Sequence, residues 1–250
     1  MQPDSIANQT IIVSDLTNQQ FLERYAAAGR IGLSGGPTLV DKAICRAERH
    51  LDEGKEWGSW SHAFLFQGPR RDGHHWLIES DLQIHHKHIQ LGVQENRISK
   101  YFNEGLYSTL AVLDFGLADA QVSSLLSCAL ELVAERARYS LRELLGTLIA
   151  LKHPQLRGRD NVLARERSMY CSAFVQHLFQ KMGLELAPGV HRKNSTPEDI
   201  WRTTMPHVRY VLKREEPVSK LDVLRKKLRR RVRARIRHAR LRIREAKTSI

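Results

Sequence analysis

Long apolar runs are missing from this sequence. None approaches the ~20 residues that a membrane-spanning helix requires, so a spanning helix is not expected. Cysteine is scarce as well: Cys45, Cys128 and Cys171 make an odd count with no short spacing. That pattern argues against a disulfide framework and against a zinc site. Met1–Ser5 carries no basic stretch followed by an apolar core, which leaves no secretory signal and makes a cytoplasmic location the expectation, unless a route without a signal exports the chain. Internal repeats are absent too.

What is present is enough for one sizeable core. The chain has 250 residues, 42% of them hydrophobic. Its net charge of +13 is unevenly spread: Lys220 to Lys247 hold fourteen Lys/Arg against Asp222 and Glu245, a balance of +12, and the remainder is nearly neutral. The basic character belongs to a tail, and electrostatic partners are to be sought there.

Thr17 with Gln20 resembles a capping box, opening a helix that runs through Tyr25 and three alanines to Gly29. A short strand at Ile31–Ser34 leads to a helix with Leu39, Val40, Ala43, Ile44, Ala47 and Leu51 at apolar spacing, closed by Gly54. Strands are predicted at 61–66 and 76–82 around the turn Gly68–Gly73, and further ones at 89–93, 110–114 and 208–212. Helices are predicted from Asp119, from Ser140 to about Leu151, and from Cys171 to Met182, the last stopped by Gly183. The expected class is α+β, an antiparallel sheet with packed helices. The expected organisation is an N-terminal helical segment (1–29), a main domain (30–216) and a basic amphipathic C-terminal helix (217–250).

Cys171 opens an apolar-faced helix. With Ser168 as N-cap it stands near the third helical residue, where free N–H groups and the helix dipole favour a thiolate. Those N–H groups also suit the oxyanion of a tetrahedral intermediate. A hairpin symmetric about Arg70 and Arg71 places His62 opposite Glu79, with Cβ atoms ~5 Å apart. Glu79 can then hold one imidazole nitrogen and leave the other to take the thiol proton.

The order His62, Glu79, Cys171 reverses papain's. It resembles the circularly permuted branch of the NlpC/P60 superfamily, the YiiX/YebB-like papain-fold amidases. Trp60-Ser61-His62-Ala63-Phe64-Leu65, Trp76-Leu77-Ile78-Glu79-Ser80 and Tyr170-Cys171-Ser172-Ala173-Phe174-Val175 carry the resemblance, which extends over about residues 25–212. It implies a permuted papain-like fold and a cysteine hydrolase or acyltransferase. Cys171 is then the nucleophile, His62 the base and Glu79 the orienting acid, with Tyr170, Tyr139 and Ser172 as substrate or oxyanion neighbours. The substrate is an amide, ester or thioester, on cell-wall peptide or lipid, and no cofactor or metal is implied. Ala173 stands where the family usually has Glu, which leaves the substrate open.

Gly32-Leu33-Ser34-Gly35-Gly36 fits a G-x-S-x-G elbow, but too few strands precede it for an α/β-hydrolase. His74, His75, His85, His86 and His88 lie on a turn and a polar segment without zinc spacing, and Cys45 and Cys128 read as core. In the tail, Leu224, Leu228, Val232, Ile236, Ala239 and Ile243 make a narrow apolar stripe among arginines. Such a helix suits an anionic membrane surface or an acidic partner protein, hence a peripheral membrane location. Nucleic acid is disfavoured because the tail has no aromatic residue to stack on bases. The rival reading is a non-catalytic adaptor that uses the fold as a scaffold and the tail for binding.

Overall fold

The structure, a computed structural model, describes residues 8–52, 56–83, 90–137, 141–161, 163 and 169–214. Two compact units divide the chain, Met1–Lys213 and Arg214–Ile250. The expected basic helix, 217–250, lies outside the described residues.

The first unit is a mixed α+β structure. Its strands are β1 (Gln9–Val13), β2 (Ile31–Gly35), β3 (His62–Pro69), β4 (His75–Gln83), β5 (Gln90–Arg97), β6 (Thr109–Asp114) and β7 (Val208–Leu212). Its helices are α1 (Asn18–Tyr25), α2 (Leu39–Glu48), α3 (Asp119–Ala134), α4 (Leu141–Lys152), α5 (Cys171–Lys181) and α6 (Pro197–Trp201). The strands form one seven-stranded sheet in the order β1-β7-β6-β2-β3-β4-β5. All pairs are antiparallel except β1 with β7. The segment 1–29 is therefore not purely helical: β1 adds an edge strand, and the segment belongs to the same compact unit.

Alternation along the strands sends apolar side chains to both faces. Ile31, Leu33, Ala63, Leu65, Ile78, Ala111 and Leu113 pack with Leu125 and Ala129 of α3 and with Phe174, Val175 and Leu178 of α5. Phe64, Phe66, Leu77, Leu110 and Val112 pack with Phe21 and Leu22 of α1 and with Ile98 and Tyr101 of the 3-10 turn Ile98–Phe102. The sheet is thus covered on both sides.

Local signals set most boundaries. The Thr17–Gln20 capping box is present. The helix ends at Tyr25, short of Gly29, because Gly29 turns at φ +81° and its N–H donates to the Phe66 carbonyl, which draws this segment to the sheet. Thr38 and Asp41 box the start of α2, which ends at Glu48 in a 3-10 turn, and Gly54 lies outside the described residues. α2 buries only Ile44 and Glu48, so Leu39 and Val40 are not core residues. Ala118, rather than Asp119, is the N-cap of α3.

Candidate active site

β3 and β4 bring the first two site residues together by a register that differs from the symmetric hairpin. Leu65 faces Ile78 and Phe66 faces Leu77, with a bulge between Phe66 and Gly68. Continuing that register sets Glu79 opposite Phe64, two residues along from His62. A shift of two preserves the face, because side chains alternate with period two. Imidazole and carboxylate therefore still meet, with His62 Nε2 2.8 Å from Glu79 Oε2.

Glu79 is fully buried, yet its carboxylate is well supplied with donors. Oε2 accepts from His62 and from the Tyr101 hydroxyl. Oε1 accepts from Asn96 Nδ2 at 2.7 Å and from Lys100 Nζ at 2.5 Å. Lys100 also reaches Asp81 Oδ2 at 2.5 Å. Burial alone would raise the Glu79 pKa. The Lys100 charge and the hydrogen bond and charge of His62 outweigh it and hold the carboxyl below its ordinary range. Burial likewise opposes a charged Lys100, but Glu79 and Asp81 keep it protonated. Asn96, Lys100, Tyr101 and Asp81 were missed in the sequence. Lys100 and Tyr101 sit on a 3-10 turn that no local signal connects with β4.

Cys171 is the first residue of α5, with Tyr170 as an extended N-cap, so it stands two positions earlier in the helix than Ser168 as cap would place it. No side chain caps this end. The first helical bond runs from Phe174 N to the Tyr170 carbonyl at 2.9 Å, so the N–H groups of Cys171, Ser172 and Ala173 precede it. Ser80 Oγ donates to the Met169 carbonyl at 2.6 Å and ties the approach to α5 onto β4. His62 feels both neighbours. Burial pushes its pKa down, but the Cys171 charge and hydrogen bond, the Glu79 hydrogen bond and the Asp81 charge raise it well above its ordinary value. Since Nε2 is engaged by Glu79, Nδ1 is the nitrogen left for the thiol.

Tyr170 and Ser172 have their hydroxyls committed elsewhere. Both donate to the Ser195 carbonyl, at 2.8 and 2.9 Å, and Thr147 Oγ1 stands 2.7 Å from the Tyr170 oxygen. Asn161 donates to the Glu143 and Lys193 carbonyls, and Lys193 Nζ to Glu143 Oε1, so these residues fasten the start of α5 to α4 and to the turn Arg192–Asn194. Tyr139 lies outside the described residues.

A cavity of about 490 Å³ runs beside α5, lined by Met169, Ala173 and His177 on one side and Cys128 and Glu131 of α3 on the other. His177 accepts from Arg192 at 2.9 Å. Burial and the charges of Arg192 and Lys181 push its pKa down to about 4, so it is neutral at neutral pH.

The other sequence candidates fall elsewhere. Ser34 lies within β2, paired with His62 on one side and Leu110 on the other, and forms no elbow. His75 bonds the Ala26 carbonyl. His85, His86 and His88 lie outside the described residues. Among the described residues, no group of three or more His, Cys, Asp or Glu is arranged to hold a metal ion, and no helix is long and apolar enough to cross a membrane. Cys45 and Cys128 are partly buried, and Cys128 packs against the edge of the main hydrophobic cluster.

The fold and site together define a mixed α+β protein in which a helix-terminal cysteine faces a histidine held by a buried glutamate. No family model matches the chain, and no curated protein matches it. Among solved structures it is similar to the crystal structure of the metalloprotein YiiX from Escherichia coli O157:H7. That likeness has 14% identity and a TM-score of 0.46, over 77% of this chain and 99% of the other.

Proposed function

We propose that this chain is a cysteine hydrolase or acyltransferase of permuted papain-like, NlpC/P60-type fold, cleaving an amide, ester or thioester through an acyl-cysteine intermediate. The supporting observation is the 2.8 Å contact of His62 Nε2 with Glu79 Oε2, with Cys171 interacting with the same imidazole from an uncapped helix start.

The Cys171 thiolate attacks the carbonyl carbon and forms a C–S bond, while helix N–H groups receive the oxyanion. His62, as imidazolium, gives its proton to the leaving nitrogen, oxygen or sulfur as that bond breaks. Water, or another nucleophile, then loses a proton to His62 and attacks the thioester, releasing the acyl group and restoring the thiolate. Glu79 keeps Nε2 protonated and the ring in place throughout. The basic segment 220–247 serves as an attachment to an anionic membrane surface or an acidic protein.

The test is turnover on a panel of activated esters and amides. Cys171→Ala and His62→Ala are expected to lose activity by about 10²-fold or more, and Glu79→Gln to keep a measurable remainder. Wild-type turnover in Cys171→Ala on a verified substrate would overturn the proposal.

A further inference from the structure

Leu39 is 85% exposed, although it stands at an apolar position of a regular helix. It has company. Six of the eight exposed large hydrophobic side chains among the described residues are Leu39, Val40, Trp57, Leu106, Leu145 and Ile149. They lie on segments that adjoin one another and border the candidate site. Ser61, the residue before His62, donates to Asp41 Oδ1 at 2.6 Å and so joins the first turn of α2 to the start of β3. The Leu106 carbonyl lies 2.5 Å from where a Cβ on Gly36 would stand, just before α2. α4 packs against α2, and Leu144, beside Leu145, packs on Tyr170 and Cys171. Gly58 fits closely against Glu48 of α2, which brings Trp57 to the same side.

The charges around these side chains are mixed, with the cations gathered on α2. Of the charged residues on α2, Glu48 is buried and Asp41 is held by Thr38 and Ser61, while Lys42 and Arg46 are exposed. The Arg46 guanidinium stands 6.0 Å from the Trp57 ring centroid. Exposed acids stand nearby too, Glu56 next to Trp57 and Glu104 two residues before Leu106. Apolar side chains beside cations suit the boundary between acyl chains and anionic headgroups. Elsewhere in the sequence, 220–247 adds a +12 balance that favours the same kind of surface.

We infer that the rim formed by the first turn of α2, Trp57, Leu106 and the outer face of α4 seats on an anionic lipid surface. Resting on the proposed function, this delivers the carbonyl of a membrane-borne amphiphile to Cys171. The rim side chains enter the interface while the tail supplies long-range attraction, so the two contributions are separable.

The experiment measures binding of the full-length protein to phosphatidylcholine vesicles with and without phosphatidylserine. The variants are Leu39→Ser/Val40→Ser on α2 and Leu145→Ser/Ile149→Ser on α4, with every basic residue kept. Each pair is expected to weaken binding to the anionic vesicles by about tenfold, with the melting temperature and the reaction of Cys171 with a small soluble electrophile unchanged. If one pair unfolds the protein, the pair on the other helix decides. Unchanged vesicle binding would overturn the inference and leave the tail as the sole lipid contact. Loss of a homo-oligomer with vesicle binding intact would overturn it in favour of a contact between copies. Weakened vesicle binding in a protein whose Cys171 proves unreactive would uphold the lipid surface and remove the enzymatic reading alone.

Discussion

Glu79 is the residue on which the candidate site's electrostatics turn. A bare buried carboxylate is costly, and it is tolerated here because four side chains donate to it, Lys100 and the His62 imidazolium as cations. Lys100→Met removes the charge that Glu79 and Asp81 share. It is expected to cost about 3 kcal/mol or more at neutral pH, read by chemical denaturation. Because Lys100 helps to hold the Glu79 pKa down, the loss should shrink in acid, where the carboxyl protonates and no longer needs the cation. Glu48 has the opposite sign. Burial, with the charges of Glu198 and Asp199, raises its pKa well above the ordinary value against the Glu198 N–H bond that lowers it. The folded state therefore holds a proton that the unfolded state releases. Stability falls as pH rises from the ordinary carboxyl pKa toward the raised one. Glu48→Gln is expected to remove that fall, so its advantage over wild type grows by about 1.4 kcal/mol per pH unit across the window, measured by melting at a series of pH values. A constant difference between the two proteins would refute the assignment.

Among the elements, α4 and α5 show how the nucleophile's helix is held. Gly→Ala inside a helix ordinarily gains about 1 kcal/mol from propensity. At Gly146 the sign should reverse, since a Cβ would stand 1.9 Å from Asn161 Oδ1 and displace the amide that joins α4 to the turn Arg192–Asn194. Gly146→Ala is expected to lose about 1–3 kcal/mol from this overpacking, with a lower melting temperature. Much at this scale was legible in the sequence because the signals were local. Val208–Leu212 and the start of α5 at Cys171 follow from apolar patterning, and the start of α1 from its capping box. β1 was not legible, because its pairing with β7 joins residues almost two hundred positions apart. The pairing of β3 with β4 was not legible either: a bulge after Phe66 shifts it by one, and beyond the bulge it stands two residues from the symmetric hairpin, which changed the residue opposite His62 without changing the face. α2 misled in another way: its apolar spacing is real, but the helix docks through Ile44 and leaves Leu39 and Val40 outside. Asn96, Lys100 and Tyr101 reach Glu79 only after β5 has folded back along β4, so their connection is tertiary.

At the scale of the whole molecule, charge is divided along the sequence between a near-neutral part and the basic segment 220–247. The first unit holds the sheet, the covered faces and the Cys171–His62–Glu79 arrangement, and the charge of 220–247 is available for long-range attraction. The three thiols make an internal control for the claim that one of them is a nucleophile. Burial and the charges of Glu48, Asp41 and Glu198 push Cys45 up to about 12, and burial with Glu131 raises Cys128. Cys171, by contrast, interacts with the His62 imidazole. The most direct measurement is alkylation of the full-length protein by iodoacetamide at neutral pH, resolved by mass spectrometry into the three cysteines. Cys171 is expected to react about 10–100 times faster than the other two, and to lose that advantage in His62→Ala. Three comparably slow thiols, or a Cys171 rate indifferent to His62, would contradict the nucleophile assignment and favour a non-catalytic adaptor.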